Sequence, residues 1–246
     1  MRYLILSDLH SNAEALAAVL ARVRRLAYDC LVLLGDFVGY GADPNEVITR
    51  VRRLRRRKVL VRGNHDRVAA GLDQGGVFNP VARSAALWTA EALTPESRRF
   101  LSGLPVGPIE VDGRFVVCHG SPLDEDAYIF SDSDAAWNFR SLSLDLCFFG
   151  HSHIPSVFEL EPDGIRVDVV RGSQVLRLEP GHRYLINPGS VGQPRDRNIA
   201  AAFALYDADE GTVEFERVAY DVEGARQKIL RAGLPGALGD RLLVGA

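Results

Sequence analysis

The chain has 246 residues, enough to bury one large core. Apolar residues make up 47% and charged residues 25%, which excludes a chain dominated by disorder. With 29 basic and 32 acidic side chains the formal net charge is −3, so nucleic acid is not an expected partner through a general basic surface. Cys30, Cys118 and Cys147 each lie in an apolar run and match no metal-binding spacing, which points to buried reduced thiols and a cytoplasmic setting. Arg2 is followed only by Tyr3, Leu4, Ile5 and Leu6 before Ser7 and Asp8, so no secretory leader is expected. No apolar run approaches the roughly 18 residues that cross a bilayer.

The first half of the chain alternates short apolar runs with helical patterns. Residues 2–6 read as a strand, and Ser11-Asn-Ala-Glu14 reads as a capping box opening a helix with Leu16, Val19, Leu20, Val23 and Leu26 on one stripe. Residues 30–34 read as a second strand. Asp43-Pro-Asn-Glu46 opens a second helix, with Pro44 at its favoured first position. Residues 58–62 read as a third strand, and residues 79–104 as helical, with a restart at Thr94-Pro95. Asp112-Gly113 marks a hairpin, 134–139 a short helix and 145–149 a further strand. From 155 to 220 the pattern is that of a mostly antiparallel meander, closed by an amphipathic helix at 222–232. Residues 233–246 read as a mobile tail or part of a lid. Together these elements predict one domain over 1–246, an α/β arrangement of two packed sheets with helices outside.

The unusual residues fall at the ends of the apolar runs. LIL is followed by Ser7-Asp8-Leu9-His10, LVLL by Gly35-Asp36, and VLV by Arg62-Gly63-Asn64-His65-Asp66. VVC is followed by His119-Gly120, and CFF by Gly150-His151-Ser152-His153. In open α/β sheets the ligand site lies beyond the carboxyl ends of the strands. Asp8/His10 and His151/His153 are i, i+2 pairs, which in extended backbone point the same way and can reach one ion. The donor types are carboxylate, imidazole and amide without thiolate. That set suits manganese, iron or zinc in a water-accessible catalytic site.

Asp8-x-His10, Gly35-Asp36, Gly63-Asn64-His65-Asp66, Cys118-His119-Gly120 and Gly150-His151-Ser152-His153 resemble the five-block signature of calcineurin-like metallophosphoesterases. Asn187-Pro-Gly-Ser-Val-Gly-Gln-Pro-Arg195 resembles the bacterial and archaeal phosphodiesterase-like branch. The resemblance implies a four-layer αββα sandwich, with two mixed β-sheets face to face and helices on each outer side. It implies two divalent ions, manganese first, with iron, zinc, nickel or magnesium as alternatives. Asp8, His10 and His153 would hold one ion, Asn64, His119 and His151 the other, and Asp36 would bridge them. A hydroxide between the ions would attack phosphorus. His65 would be the acid at the leaving oxygen, with Asp66 orienting its ring.

Where the protein phosphatase branch has a phosphate-gripping arginine in its second block, this chain has Tyr40. An aromatic lacks the forked charged donors that hold a dianionic monoester, which favours a diester. Tyr40 either stacks on a nucleobase or packs a loop. Asn12, Arg67 and Arg195 are further candidate substrate contacts, the arginines as replacement charge. The cluster Arg50, Arg52, Arg53, Arg55, Arg56, Arg57 and Lys58 is expected to be the solvated face and C-terminus of the second helix. The expected function is metal-dependent hydrolysis of phosphodiesters of small nucleotides or related compounds. The alternatives are a dinucleoside-polyphosphate hydrolase, a phosphomonoesterase or protein phosphatase, and a non-catalytic scaffold. The antiparallel region offers a surface for a homo-oligomer.

Overall fold

The computed structural model describes residues 1–246. In chain order the elements begin with β1 (Arg2–Leu6), α1 (Ala13–Val23), β2 (Cys30–Leu33), α2 (Pro44–Arg53), β3 (Arg57–Leu60) and α3 (Asn64–Ala69). Next come α4 (Pro80–Ala92), α5 (Pro95–Ser102), β4 (Ile109–Val111), β5 (Phe115–Val117), α6 (Asp132–Ser141) and β6 (Leu146–Phe148). The rest is β7 (Ser156–Glu161), β8 (Gly164–Val169), β9 (Gln174–Arg177), β10 (Arg183–Asn187), β11 (Ala201–Asp207), β12 (Thr212–Val218), α7 (Val222–Arg231) and α8 (Gly236–Val244).

The strands form two six-stranded mixed sheets. One runs β3-β2-β1-β11-β12-β9 and the other β4-β5-β6-β10-β7-β8. In the first, β1, β2 and β3 are parallel, and β11, β12 and β9 follow antiparallel. In the second, β5, β6 and β10 are parallel. The expected meander from 155 to 220 is therefore not continuous. β7, β8 and β10 join the second sheet, whereas β9, β11 and β12 join the first. The apolar alternation of each strand was readable locally, but its partner is fixed only by long-range pairing.

Side chains of one strand alternate between two cores. Tyr3 and Ile5 of β1 meet Phe115, Phe148, Ile186 and Phe215 between the sheets. Leu4 and Leu6 face the other way, against Leu16 and Val19 of α1 and Val47, Ile48 and Val51 of α2. On the far face of the second sheet, Cys147, Phe158 and Leu185 pack under Ala135 and Phe139 of α6. Burial on both faces explains the near-continuous apolar runs. The result is the four-layer αββα sandwich.

Two local expectations are corrected. The cap of α1 is Asn12, whose side chain accepts from the Ala15 amide at 3.0 Å, while the Ser11 hydroxyl is buried without a partner. Ser11 itself has φ 53°, in the left-handed region. The segment read as a tail contains α8, which packs on α7 through buried Leu238 and Leu242. Its C-terminus is closed by Gly245 at φ 65°, a left-handed cap that glycine adopts without a Cβ penalty. The basic cluster is largely exposed and partly paired, with Arg52 on Glu96 at 2.5 Å and Arg57 on Asp112 at 2.6 Å.

If α8 is an integral part of the packing, Leu238→Ala should lower unfolding stability by about 2–4 kcal/mol. Leu243, 44% exposed on the same helix, should tolerate alanine within about 0.5 kcal/mol. Urea denaturation of the two variants reads the difference, and equal small effects would mean that α8 is not docked.

Candidate metal centre

The parallel strands β1, β2 and β3 of one sheet, and β5 and β6 of the other, all end at the same place. Beyond their carboxyl ends the backbone turns sharply. Seven of the nine non-glycine residues with positive φ lie here: Asp8, His10, Ser11, Asp36, Tyr40, His151 and His153. Each costs on the order of 1–3 kcal/mol and persists only where its surroundings enforce it. The enforcement is visible at Gly63, where a Cβ would overlap Asp36 Oδ1. Gly35, at φ 96°, brings the β2 end within 2.8 Å of His119 Nδ1, measured from the Cβ it lacks.

These turns gather two groups of donors. Asp8, His10 and His153 form one, and Asp36, His119 and His151 the other, with the donor atoms within each lying no more than 4.8 Å apart. Asp36 stands between them. Its Oδ1 accepts from the His65 amide at 2.9 Å, and its Oδ2 lies 3.6 Å from His10 Nε2 and 3.4 Å from His119 Nε2. Asn64 Oδ1 is 3.2 Å from His119 Nε2, which adds an amide oxygen to the second group.

Every histidine of the two groups has one ring nitrogen on a backbone carbonyl. His10, His119 and His153 place Nδ1 on Val38 at 3.1 Å, Leu34 at 2.8 Å and Gln193 at 2.6 Å. His151 places Nε2 on Asp126 at 3.1 Å. The N–H donated to that carbonyl fixes the tautomer and leaves the other nitrogen as an electron-pair donor, the usual support of a metal-ligating imidazole. The Nε2 atoms of His10 and His153 then face each other across 3.0 Å. Asp8 Oδ1 is buried beside them without a hydrogen-bond partner. Two lone pairs and an unpartnered carboxylate oxygen converging on one buried point fit a cation.

The protonation balance says the same. Burial pushes the Asp8 and Asp36 carboxyls up, but the imidazoles around them outweigh it and hold both below the carboxylate range. Burial also opposes charge on His119, yet Asp36 and Asp8 raise it to about 10. His10 and His153 are lowered, by burial first, and His151 falls to about 3 by burial and by His119. Protons and cations thus compete for the same buried donors, and metal uptake would release protons.

Residues 1–211 match the calcineurin-like phosphoesterase superfamily domain. The chain belongs to the calcineurin-like phosphoesterase superfamily. It is 38% identical over 98% of its length to an uncharacterised protein, MJ0912, of Methanocaldococcus jannaschii, covering 97% of that protein. A metallophosphoesterase from Sphaerobacter thermophilus is 38% identical, with a TM-score of 0.87 over 100% of this chain and 99% of that one. The hypothetical protein PH1004 from Pyrococcus horikoshii OT3 shares the fold at 22% identity, with a TM-score of 0.81 over 100% of this chain and 98% of that one. Membership in this phosphoesterase superfamily implies hydrolysis of phosphoric esters, and the Asp/His groups are positioned for its metal centre. No helix is long and apolar enough to cross a membrane.

Within this phosphoesterase the donors expected from the strand ends converge, but other expectations change. His151 and His153 fall in different groups, as the family resemblance implies, and do not share one ion as an extended i, i+2 pair could. Asp66 makes no hydrogen bond to the His65 ring. Its carboxylate accepts from the Val38 amide at 3.2 Å and the Gly63 amide at 3.0 Å, so it ties two metal-site loops together. His65 is held by packing instead, with ring centroids 4.4 Å from Tyr40, 4.6 Å from Phe78 and 5.1 Å from His10. Its Nδ1 is buried without a partner, unlike the carbonyl-locked nitrogens of the group histidines.

Asn12 is a helix cap whose amide also donates to Gly192 O at 2.8 Å, and it lies outside the cleft beside the metal groups. Arg67 is taken up by Glu125, Asp126 and Asp73. Arg195 lines the cleft, and its guanidinium sits 5.6 Å over the Tyr40 ring. The cleft encloses about 490 Å³ between Asp36, His65, Phe78, Tyr128, His151 and Arg195. Phe78, Tyr128 and Asp126 escaped the sequence reading because none belongs to a strand-end block.

Removing the Asp66 carboxylate would strand two buried amide N–H groups. Asp66→Ala should therefore lower stability by about 2–4 kcal/mol in urea denaturation. A loss of activity with unchanged stability would instead return Asp66 to the side of His65.

Proposed function

We propose that this protein is a two-metal phosphodiesterase acting on esters of small nucleotides or related compounds, with residues 1–246 working as one domain. Asp8, His10 and His153 hold one ion, Asn64, His119 and His151 the other, and Asp36 both. The observation that carries this reading is Asp36 Oδ2, which sits between the two groups at 3.6 Å and 3.4 Å from their histidines. The donors are oxygen and nitrogen only, a set that suits manganese, iron or zinc, and Mn²⁺ is taken as the working metal. The buried thiols Cys118 and Cys147 lie 3.8 Å apart and unpaired, in keeping with a reducing cytoplasm.

Bound divalent ions would supply an acidified water and charge stabilisation at the phosphoryl oxygens. The chain supplies the rest. His65, packed between Tyr40 and Phe78, gives a proton to the leaving oxygen. Burial, followed by Arg195 and neighbouring histidines, lowers it to about 4 against the pull of Asp36. An anionic ester beside it pulls that value back up and makes the proton available at the moment of binding.

The charge around the cleft favours a diester over a monoester. Arg195 is the one arginine or lysine lining it, together with the carboxylates of Asp36, Asp124 and Asp126, the last of them paired with Arg67. Apart from the charge of the bound ions, a dianion would find one guanidinium among these carboxylates, whereas a monoanionic diester meets less repulsion.

Chelator-stripped protein should hydrolyse an aryl phosphodiester only after Mn²⁺ is restored, and faster than the matching monoester. Metal-independent turnover, or a preference for the monoester, would overturn the reading. Cleavage of diadenosine tetraphosphate with neither ester hydrolysed would replace it by an anhydride hydrolase. His65→Gln should lower kcat by about a hundredfold or more with metal content unchanged. Wild-type kcat in that variant would place the acid elsewhere.

A further inference from the structure

The stretch that supplies Asn64 and His65 carries an arginine at each end. Arg62 precedes Gly63, and Arg67 follows Asp66 in α3. Both guanidiniums turn to one carboxylate, that of Glu125. Arg62 Nη2 donates to Oε1 at 3.0 Å and to Oε2 at 3.2 Å, and Arg67 Nη1 donates to Oε1. Arg67 Nη2 also reaches the neighbouring Asp126 carboxylate at 2.8 Å. The three side chains are largely out of water, with 15% of each arginine and 9% of Glu125 exposed. Without the carboxylate the two buried cations would repel one another.

Glu125 lies in the connection from β5 to α6, residues 118–131, which has no helix or strand of its own. The connection begins at Cys118-His119-Gly120. A Cβ at Gly120 would come within 2.5 Å of the Glu125 carbonyl oxygen and 2.8 Å of that of Ala127, so the segment around Glu125 lies directly against the backbone beside His119. The Asp126 carbonyl accepts from His151 Nε2 at 3.1 Å. Tyr128 stacks on the same imidazole, with centroids 4.0 Å apart and planes 24° from parallel. His151 is thus oriented at one ring nitrogen and on one ring face by residues next to Glu125 in the chain. The other three histidines of the donor groups take their carbonyls from Leu34, Val38 and Gln193, outside this connection.

We propose that Glu125 is a positioning residue for the second ion. Clamped between Arg62 and Arg67, it ties the stretch that supplies Asn64 to the segment that orients His151, and so keeps the Nδ1 electron pair of His151 in the second donor group. Glu125 itself is not one of the donors. The inference rests on the two-metal reading above. It sets the second group apart from the first, whose histidines His10 and His153 are locked by Val38 and Gln193. Partners that orient a metal ligand govern about 10- to 100-fold of metal affinity.

Two measurements on the full chain test it: calorimetric titration with Zn²⁺, and nuclear magnetic resonance of the Zn²⁺-loaded protein labelled with ¹⁵N-histidine. The wild type should take up two ions. Among the four histidines of the donor groups, His151 should carry its proton on Nε2 and the others on Nδ1. In Glu125→Ala the His151 Nε2–H should lose its protection from exchange with water, and one ion should bind about 10- to 100-fold more weakly. The Nδ1–H signals of His10 and His153, and the affinity of the other ion, should stay as in the wild type. Glu125→Gln, which keeps the shape and loses the charge, should fall between. Glu159→Gln removes the charge of another buried carboxylate, held by Tyr184, Arg166 and His182 away from the metal loops, and should alter neither measurement. Unchanged exchange and affinity in both Glu125 variants, or a loss shared equally by both ions and by Glu159→Gln, would overturn the positioning role and leave the two-metal reading standing. Fewer than two ions in the wild type would remove that reading, and the positioning role with it.

Discussion

Asp36 accepts an amide proton on one carboxylate oxygen and turns the other toward both donor groups. Much of the surrounding architecture follows from holding that buried carboxylate in place. Gly63 lacks a side chain where a Cβ would overlap it. The Asp66 carboxylate ties the loop after β2 to the start of α3, which carries the amide that Asp36 accepts. The four histidines around it are locked by backbone carbonyls from three loops, Leu34 and Val38 after β2, Asp126, and Gln193. A carboxylate so desolvated is stable only among positive charge, and the site is built to concentrate it.

The two sheets explain how such convergence is achieved. Parallel strands from each place their carboxyl ends side by side, so both contribute turns to one site. The C-terminal helices brace the same loops from outside. Lys228 of α7 pairs with Asp43 at 2.8 Å and Glu14 at 2.5 Å, and the Arg197 amide donates to the Gly245 carbonyl at 2.8 Å. Tyr40, beside His10 and His65, packs in the cluster formed with α4, α7 and α8. The last residues of the chain thus belong to the support of the centre.

The donor residues are legible because each lies just beyond the carboxyl end of an apolar strand and is of a metal-ligand type. Position relative to a strand end is local information, and Asp8, Asp36, Asn64, His119 and His151 carry it directly. Contacts made across the chain were not legible. Arg67 looked like a spare cation, since Glu125 and Asp126 lie far away in sequence. Asp66 looked like the partner of its neighbour His65, but its acceptors are spent on the amides of Val38 and Gly63. The sheet that each late strand joins, and the docking of α8, likewise depend on pairings that periodicity does not encode. Tyr128 sits in no motif, and only its stack on His151 makes it notable.

In the proposed centre one carboxylate serves two ions. Its most direct test counts Mn²⁺ bound per chain by equilibrium dialysis and elemental analysis, in the wild type and in Asp36→Asn. The wild-type chain should bind two ions, and the variant should bind both more weakly while its circular dichroism spectrum is kept. A single ion in the wild type, or two ions held with undiminished affinity by Asp36→Asn, would contradict it.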